Sequence, residues 1–293
     1  MAKASIPVYD ICTIDRNSQK DLLIDRFGTY LQKHYQNLHH SHRHSFYHLV
    51  LFTKGKGSHS IDFETFPVRP FQIYFMIPGQ VHSWHFNGEV DGYILHFNDT
   101  LFTSFLQSGH YLEQFHFFSG NIKDCVCQIP TSGHQILIDL FEGMIKENDQ
   151  RMTGYLDLIR LKLLELFLTV ERYCNPGATR KLPVQKVTTL RSFQQLIDKH
   201  YTSIRLPKED ADMLYITPNH LNALCNDMLG KSAGDLIRDR VILEAKRLLT
   251  NATMSISQIS DELNFKDNSY FTRFFKKYVG MTPDDFRKNM INK

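Results

Sequence analysis

A chain of 293 residues has room for two domains with a core in each. A hydrophobic content of 42% and a charged content of 22% are those of a globular protein, and no apolar run reaches membrane-spanning length. The formal charge of +3 is unevenly spread: from Pro183 onward 17 Lys and Arg stand against 13 Asp and Glu, whereas residues 1–182 are close to neutral.

The first residues, MAKASIPVYDICTIDRNSQKD, hold no hydrophobic stretch of the kind a signal peptide needs, so a cytoplasmic protein is expected. Five cysteines, an odd number without a CxxC pair, agree with that compartment. Cys125-x-Cys127 is too isolated to argue for a metal site, and Cys225 reads as a small apolar filler.

Between about Leu38 and Asp99 short strand-like runs follow one another: Tyr47–Thr53, Ser58–Phe63, Ile73–Ile77 and Tyr93–Phe97. Gly55-Lys56-Gly57, Pro67, Pro78-Gly79 and Asn87-Gly88 separate them. Asn87-Gly88 predicts a two-residue hairpin. Many short strands with frequent turns predict a small barrel or sandwich. His42, His44, Phe46 and His48 share one face of an unbroken strand, and His82 and Trp84 share one of a later strand.

The string HSHRHSFYHLVLFTKGKGSHSIDFETFPVRPFQIYFMIPGQVHSWHF resembles a cupin-like sensor domain. Metal-binding cupins use a His-x-His-x3-Glu group and a later histidine after a Pro-x-Gly turn. Here His42-x-His44 is kept, His48 replaces the glutamate, and Ile77-Pro78-Gly79-x2-His82 approximates the second motif. Four imidazoles could hold zinc, iron or nickel. The reading adopted is a barrel lined by histidines without a metal or other cofactor, in which His44, His82 and Trp84 contact a small-molecule ligand.

From about Thr131 the period becomes helical. Ile136, Leu140, Phe141 and Met144 form one stripe. Tyr155–Tyr173 carries Leu156, Ile159, Leu163, Leu166, Phe167 and Val170, widened by Leu161, Leu164 and Leu168. A helix apolar on more than one side is expected to touch more than its own domain. Asn175-Pro176-Gly177-Ala178-Thr179 then reads as the start of a linker.

A helix from Val187 to Tyr201 opens the C-terminal part. Leu221, Leu224, Cys225 and Met228 form an i, i+3, i+4, i+7 stripe, with Asn219, Asn222, Ala223 and Asn226 opposite. Fifty residues later Phe271, Phe274, Phe275 and Tyr278 repeat the stripe, with Ser269, Thr272, Arg273 and Lys276 opposite. Gly230 matches Gly280, Ser232 matches Thr282 and Asp235 matches Asp285. Upstream the offset falls to 49, pairing Ala211 with Ser260 and Leu214 with Leu263, so the second turn holds one extra residue. A helix anchored by one face and polar on the other is what a major-groove reader requires.

The segment ISQISDELNFKDNSYFTRFFKKYVGMTPDDFRK resembles the signature of the AraC/XylS family of bacterial transcription regulators. The likeness lies in the small Ser260, the Asn264-Phe265 and Tyr270-Phe271 pairs, Phe275-Lys276-Lys277 and the Gly280-x-Thr-Pro turn. The family usually has glycine where Asn264 stands, and asparagine also tolerates positive φ. Many such regulators carry a cupin-like sensor at the N-terminus.

The resemblance implies an α+β two-domain protein: a cupin-like β-barrel plus helical hairpin, then an all-α double helix-turn-helix (homeodomain-like) domain. The expected bounds are 1–174 (barrel about 38–100, helices about 132–174), a linker at 175–186, and 187–293 with helix-turn-helix units at about 207–229 and 256–279. DNA contact is expected from Asn219, His220, Asn222, Ala223, Asn226, Asn268, Ser269, Thr272, Arg273 and Lys276. In the family the dimer helices lie where Leu156, Ile159, Leu163, Leu166, Phe167 and Val170 stand. The implied partners are a double-stranded DNA operator, RNA polymerase, a small-molecule effector and a second copy of the chain, with no membrane. The competing reading is a metal-dependent cupin enzyme fused to a DNA-binding domain; the expectation here is that the chain performs no chemistry.

Overall fold

The computed structural model describes residues 7–14, 21–38, 40–103, 105–106, 111–119, 122–175, 184–250 and 254–291. Two compact units divide the chain, Pro7–Thr179 and Arg180–Lys293. Most of the expected linker, residues 176–183, lies outside the described residues.

The first unit begins with β1 (Val8–Tyr9), α1 (Ile11–Ile14), β2 (Leu22–Arg26) and α2 (Phe27–Leu38). β3 (His42–His44), β4 (Tyr47–Lys54), β5 (Gly57–Ile61), β6 (Glu64–Val68), β7 (Gln72–Met76), β8 (Val81–Phe86) and β9 (Asp91–Phe97) follow. After α3 (Thr100–Thr103), two 3₁₀ turns and β10 (Val126–Gln128), the unit ends with α4 (Thr131–Gln150) and α5 (Tyr155–Cys174). The strands form two five-stranded sheets, ordered β1-β3-β8-β5-β6 and β10-β7-β4-β9-β2.

The second sheet is covered on both faces, which explains why its strands read as solid apolar runs. Leu49, Leu51, Ile73 and Phe75 point outward to α4 and α5, where Leu140, Phe141, Leu163 and Phe167 meet them. Val50, Phe52, Tyr74 and Met76 alternate with them and fill the space between the sheets, beside Phe27, Phe46 and Trp84.

Three expectations need correcting. Asn87-Gly88 makes no hairpin: β8 pairs with β3 and β5, β9 pairs with β4 and β2, and residues 87–90 carry the chain from one sheet to the other. The Asn87 N–H is held by the carbonyl of Lys56 at 2.9 Å, and Gly88 takes a φ of 83°. His42 to His48 is no single strand either, because the chain changes sheets between β3 and β4. The four side chains still point inward, since the sheets face each other.

The third correction concerns the dimer seam. Ile159, Leu163, Leu166, Phe167 and Val170 are fully buried in their own domain, and Leu156 is half-buried against the same core. The five fully buried side chains have no surface left for a second copy, whereas Leu156 keeps part of its own. The exposed apolar residues of α5 are Leu158, Leu161 and Leu168, at 44%, 52% and 45% exposure. Likewise Leu137 rather than Ile136 leads the buried stripe of α4.

Cys127 of β10 and Cys174 at the end of α5 are disulfide-bonded, with Cα atoms 5.9 Å apart. Cysteine spacing gave no hint of this pairing.

The second unit is helical: α6 (Val184–His200), α7 (Pro207–Met213), α8 (Pro218–Leu229), α9 (Ala233–Leu249), α10 (Ile256–Glu262), α11 (Asn268–Val279) and α12 (Pro283–Ile291). The ends of the two repeated helices have chemical causes. Thr217 caps α8 by accepting from the His220 N–H, and Asp267 caps α11 by accepting from the Tyr270 N–H at 2.6 Å. Gly230 and Gly280 end these helices in the left-handed region, with φ of 66° and 86°. Ser232 and Asp235 form a capping box at the start of α9.

Candidate nucleic-acid interface and the histidine-lined barrel

Residues 214–217 join α7 to α8, and residues 263–267 join α10 to α11, one residue more. Tyr215 and Asn264 hold the matching positive-φ position, both at 55°. Asparagine accepts this conformation readily, whereas a tyrosine is strained there. Tyr215 is 96% exposed, so nothing packed around its ring relieves that strain.

On α8, Leu221, Leu224 and Cys225 are buried, while Asn219, His220, Asn222, Ala223 and Asn226 are exposed. The Asn222 side chain also accepts the Ala233 N–H at 3.1 Å, tying α8 to α9. On α11, Phe271 and Phe275 are fully buried, each worth about 1.5–3 kcal/mol of apolar burial. Asn268, Ser269, Arg273 and Lys276 are exposed, and Thr272 is half-buried. The ten residues therefore fall into two groups on two helices of twelve residues each. The surfaces differ in charge. α8 carries no Lys or Arg, and its Asp227 pairs with Lys186 at 2.8 Å, whereas α11 presents Arg273, Lys276 and Lys277.

Sequence reasoning missed Tyr215, although the 49-residue offset that pairs Leu214 with Leu263 also pairs Tyr215 with Asn264. It missed Arg205 too. This side chain lies before α7 yet reaches the second turn, donating to the Leu263 carbonyl and covering the Phe265 ring at 4.5 Å. Beside it Asn264 donates to the Thr202 carbonyl at 3.2 Å. No periodicity links positions so far apart in sequence.

Inside the first unit His44, His82 and Trp84 are brought together, at 2%, 1% and 3% exposure. Ring centroids are 4.7 Å apart for His44–His82 and 5.2 Å for His82–Trp84. Strand register builds the group: His42 faces His82 across β3 and β8, His48 faces His96 across β4 and β9, and His59 faces Trp84 across β5 and β8. His59 and His96 were not singled out in the sequence, since each stands alone in its strand. Period-two alternation from the buried residues around them was the available signal.

Burial disfavours the charged form of all six imidazoles. It lowers His42 to about 4, partly offset by the His40 carbonyl, and His59 to about 3, and it drives His44, His48, His82 and His96 well below their usual range. The cluster is therefore neutral at ordinary pH. At the rim, a separate open cavity of about 580 Å³ is lined by Gly28, Gln32, Lys54, Phe86, Glu89 and Asp91.

The sequence matches two family profiles, the AraC-like ligand binding domain over residues 28–164 and a helix-turn-helix domain over residues 211–289. It is 25% identical to the uncharacterized HTH-type transcriptional regulator YfiF of Bacillus subtilis, over 94% of this chain and 86% of that one. It is also 25% identical to the arabinose operon regulatory protein of Salmonella typhimurium, over 82% of this chain and 83% of the relative. Among solved structures, ToxT of Vibrio cholerae aligns over 92% of this chain and 98% of its own, at 13% identity and a TM-score of 0.44.

Proposed function

Since the chain belongs to the AraC family of DNA-binding transcription regulators, with an N-terminal ligand-binding domain, we propose that it reads a bipartite operator with α8 and α11. The observation that carries this reading is the repeat itself. Two twelve-residue helices, each with a buried stripe and an exposed polar face, stand in one compact unit about fifty residues apart. α9, 17 residues and so about 25 Å long, joins them.

In this reading Asn219, His220, Asn222, Ala223 and Asn226 face one half-site. Asn268, Ser269, Thr272, Arg273 and Lys276 face the other. Asparagine suits adenine and Arg273 suits guanine, while Lys276 and Ser269 at the flanks of the stripe suit phosphate. The sensor takes a small molecule near His44, His82 and Trp84. Its binding shifts the arrangement of domains or copies and so changes how both heads engage DNA.

In this reading the protein acts in the cytoplasm as a homodimer and performs no chemistry, and any activation of transcription comes through contact with RNA polymerase. No helix among the described residues is long and apolar enough to cross a membrane. For the dimer, the exposed Leu158, Leu161 and Leu168 supply the apolar surface that the buried residues of α5 do not.

Selection from a randomised operator library tests the reading. Two unequal half-sites centred about 10–10.5 bp apart are expected from two readers on one face of the duplex. Enrichment of a single half-site refutes the two-headed mode.

A further inference from the structure

Among the described residues, one group of His, Cys, Asp or Glu side chains converges closely enough to share a cation. His42, His44 and His82 each place a ring nitrogen within 4.8 Å of the others. All three are buried, and no carboxylate belongs to the group.

The hydrogen bonds around the group fix how the rings are turned. His42 Nδ1 lies 2.7 Å from the carbonyl of His40, so it donates and leaves the lone pair on Nε2. His82 Nδ1 is 3.0 Å from His59 Nε2, and His48 Nδ1 is 2.9 Å from His96 Nε2. With the same sense of donation, Nε2 of His82 and of His48 also carry lone pairs. His42 Nε2 and His48 Nε2 are buried without any hydrogen-bond partner. His44 Nε2 and His82 Nε2 lie 3.5 Å apart. Two nitrogens bound to one tetrahedral cation at about 2.0–2.1 Å stand at nearly that separation.

An unsatisfied buried nitrogen is costly, and a core that gathers several of them needs something to receive their lone pairs. A ligating histidine ordinarily anchors its second nitrogen on a neighbouring group, as His42, His48 and His82 do here.

We propose that Nε2 of His42, His44 and His82 binds one divalent first-row transition cation in the barrel, with the His48 ring standing beside them. The His48 ring centroid is 5.0 Å from those of both His44 and His82. An all-imidazole set favours a borderline cation such as zinc, cobalt or nickel over magnesium or calcium. His59 and His96 are positioning residues that orient His82 and His48.

Cobalt(II) is the probe. The full chain, stripped by a chelator and desalted, is titrated with cobalt chloride. One equivalent retained per chain, ligand-field bands of a four-coordinate site and quenching of Trp84 are expected, since the Trp84 ring is 5.2 Å from His82. His44→Gln and His82→Gln, checked for folding by circular dichroism, abolish retention. His59→Gln keeps retention but weakens it about 10–100-fold.

Stripped wild-type protein that retains no cobalt overturns the proposal. So does cobalt held equally by the doubly substituted chain, which places it elsewhere. If the variants do not fold, the wild type decides. Paramagnetically shifted imidazole N–H resonances in the cobalt form are expected, and a cobalt-bound spectrum without them refutes the assignment. Operator binding measured on the same stripped preparation keeps this outcome separate from the DNA-reading function.

Discussion

Arg205 grips Phe265 across the whole first helix-turn-helix: its guanidinium lies 4.5 Å from the ring centroid and donates to the neighbouring Leu263 carbonyl. The segment that leads into the first head thereby holds the turn of the second. Arg240 makes a similar tie between α6 and α9, pairing with Asp198 at 2.7 Å and Glu244 at 3.0 Å and covering the Tyr201 ring at 4.1 Å. The spacing of the heads is set by such contacts as well as by the length of α9.

Arg205→Ala is expected to lose about 2–3 kcal/mol of stability in the C-terminal unit, from a charge-assisted hydrogen bond and a cation–π contact. It also loosens the turn before α11. In a library of operators with varied spacers, the variant accepts a wider range of half-site separations than the wild type. An unchanged spacer preference rules out this coupling.

Arg273→Ala is expected to relax specificity at one base pair, by about 1–3 kcal/mol. Lys276→Ala weakens all sequences alike and lowers the salt slope by about 0.9. Ala223→Arg gives the first head a cation it lacks and steepens the slope. Binding isotherms at several salt concentrations check all three, and equal sequence dependence for Arg273→Ala and Lys276→Ala removes the assigned roles.

Leu161→Glu with Leu168→Glu is expected to give a folded monomer, because both residues are exposed on α5. Leu163→Glu and Phe167→Glu bury a charge in the core beneath β7 and β9 and unfold the domain. Sedimentation and circular dichroism separate the two classes. A dimer of unchanged mass in the exposed double variant excludes this face.

Asp210 is 1% exposed, and neither carboxylate oxygen has a hydrogen-bond partner. Burial raises its pKa to about 6, with Glu209 adding and His200 opposing. Unfolded aspartate titrates near 3.9, so folding disfavours the ionised form. The contribution is most favourable below about pH 4 and is lost as pH rises to about 6. Asp210→Asn removes this slope, and urea midpoints between pH 4 and 7 show it as a difference that widens in favour of the variant as pH rises and the wild-type carboxyl is forced to ionise. A constant difference across that range contradicts the assignment.

Thiol titration of denatured, unreduced protein is expected to return three free cysteines, Cys12, Cys125 and Cys225, and five after reduction. Opening the Cys127–Cys174 link enlarges the freedom of the unfolded chain over a separation of 47 residues, worth about 4 kcal/mol. Five thiols before reduction show that the pair is open in solution.

The helical unit was legible because its information is local. Caps, glycine stops and i, i+3, i+4, i+7 stripes each lie within one helix, and the duplicated pattern confirmed the register, even to the extra residue before Asp267. The barrel was legible only in part. β1, β2 and β10 are strands because distant residues pair with them. Asn87-Gly88 has the chemistry of a tight hairpin, but its flanking strands find their partners in opposite sheets. Leu163 and Leu161 are indistinguishable by hydropathy; only the position of β7 and β9 decides which is buried.

The two units also differ in how far along the chain their contacts reach. In the first, Leu22 pairs with Phe97 and Val126 with Tyr74, so closing either sheet brings distant segments together. In the second, each head is assembled from adjacent helices joined by turns of four or five residues. Folding rate falls as contacts become less local. On dilution from denaturant, the helical unit should regain its structure well before the barrel, giving a transient species competent for DNA whose sensor is still unformed.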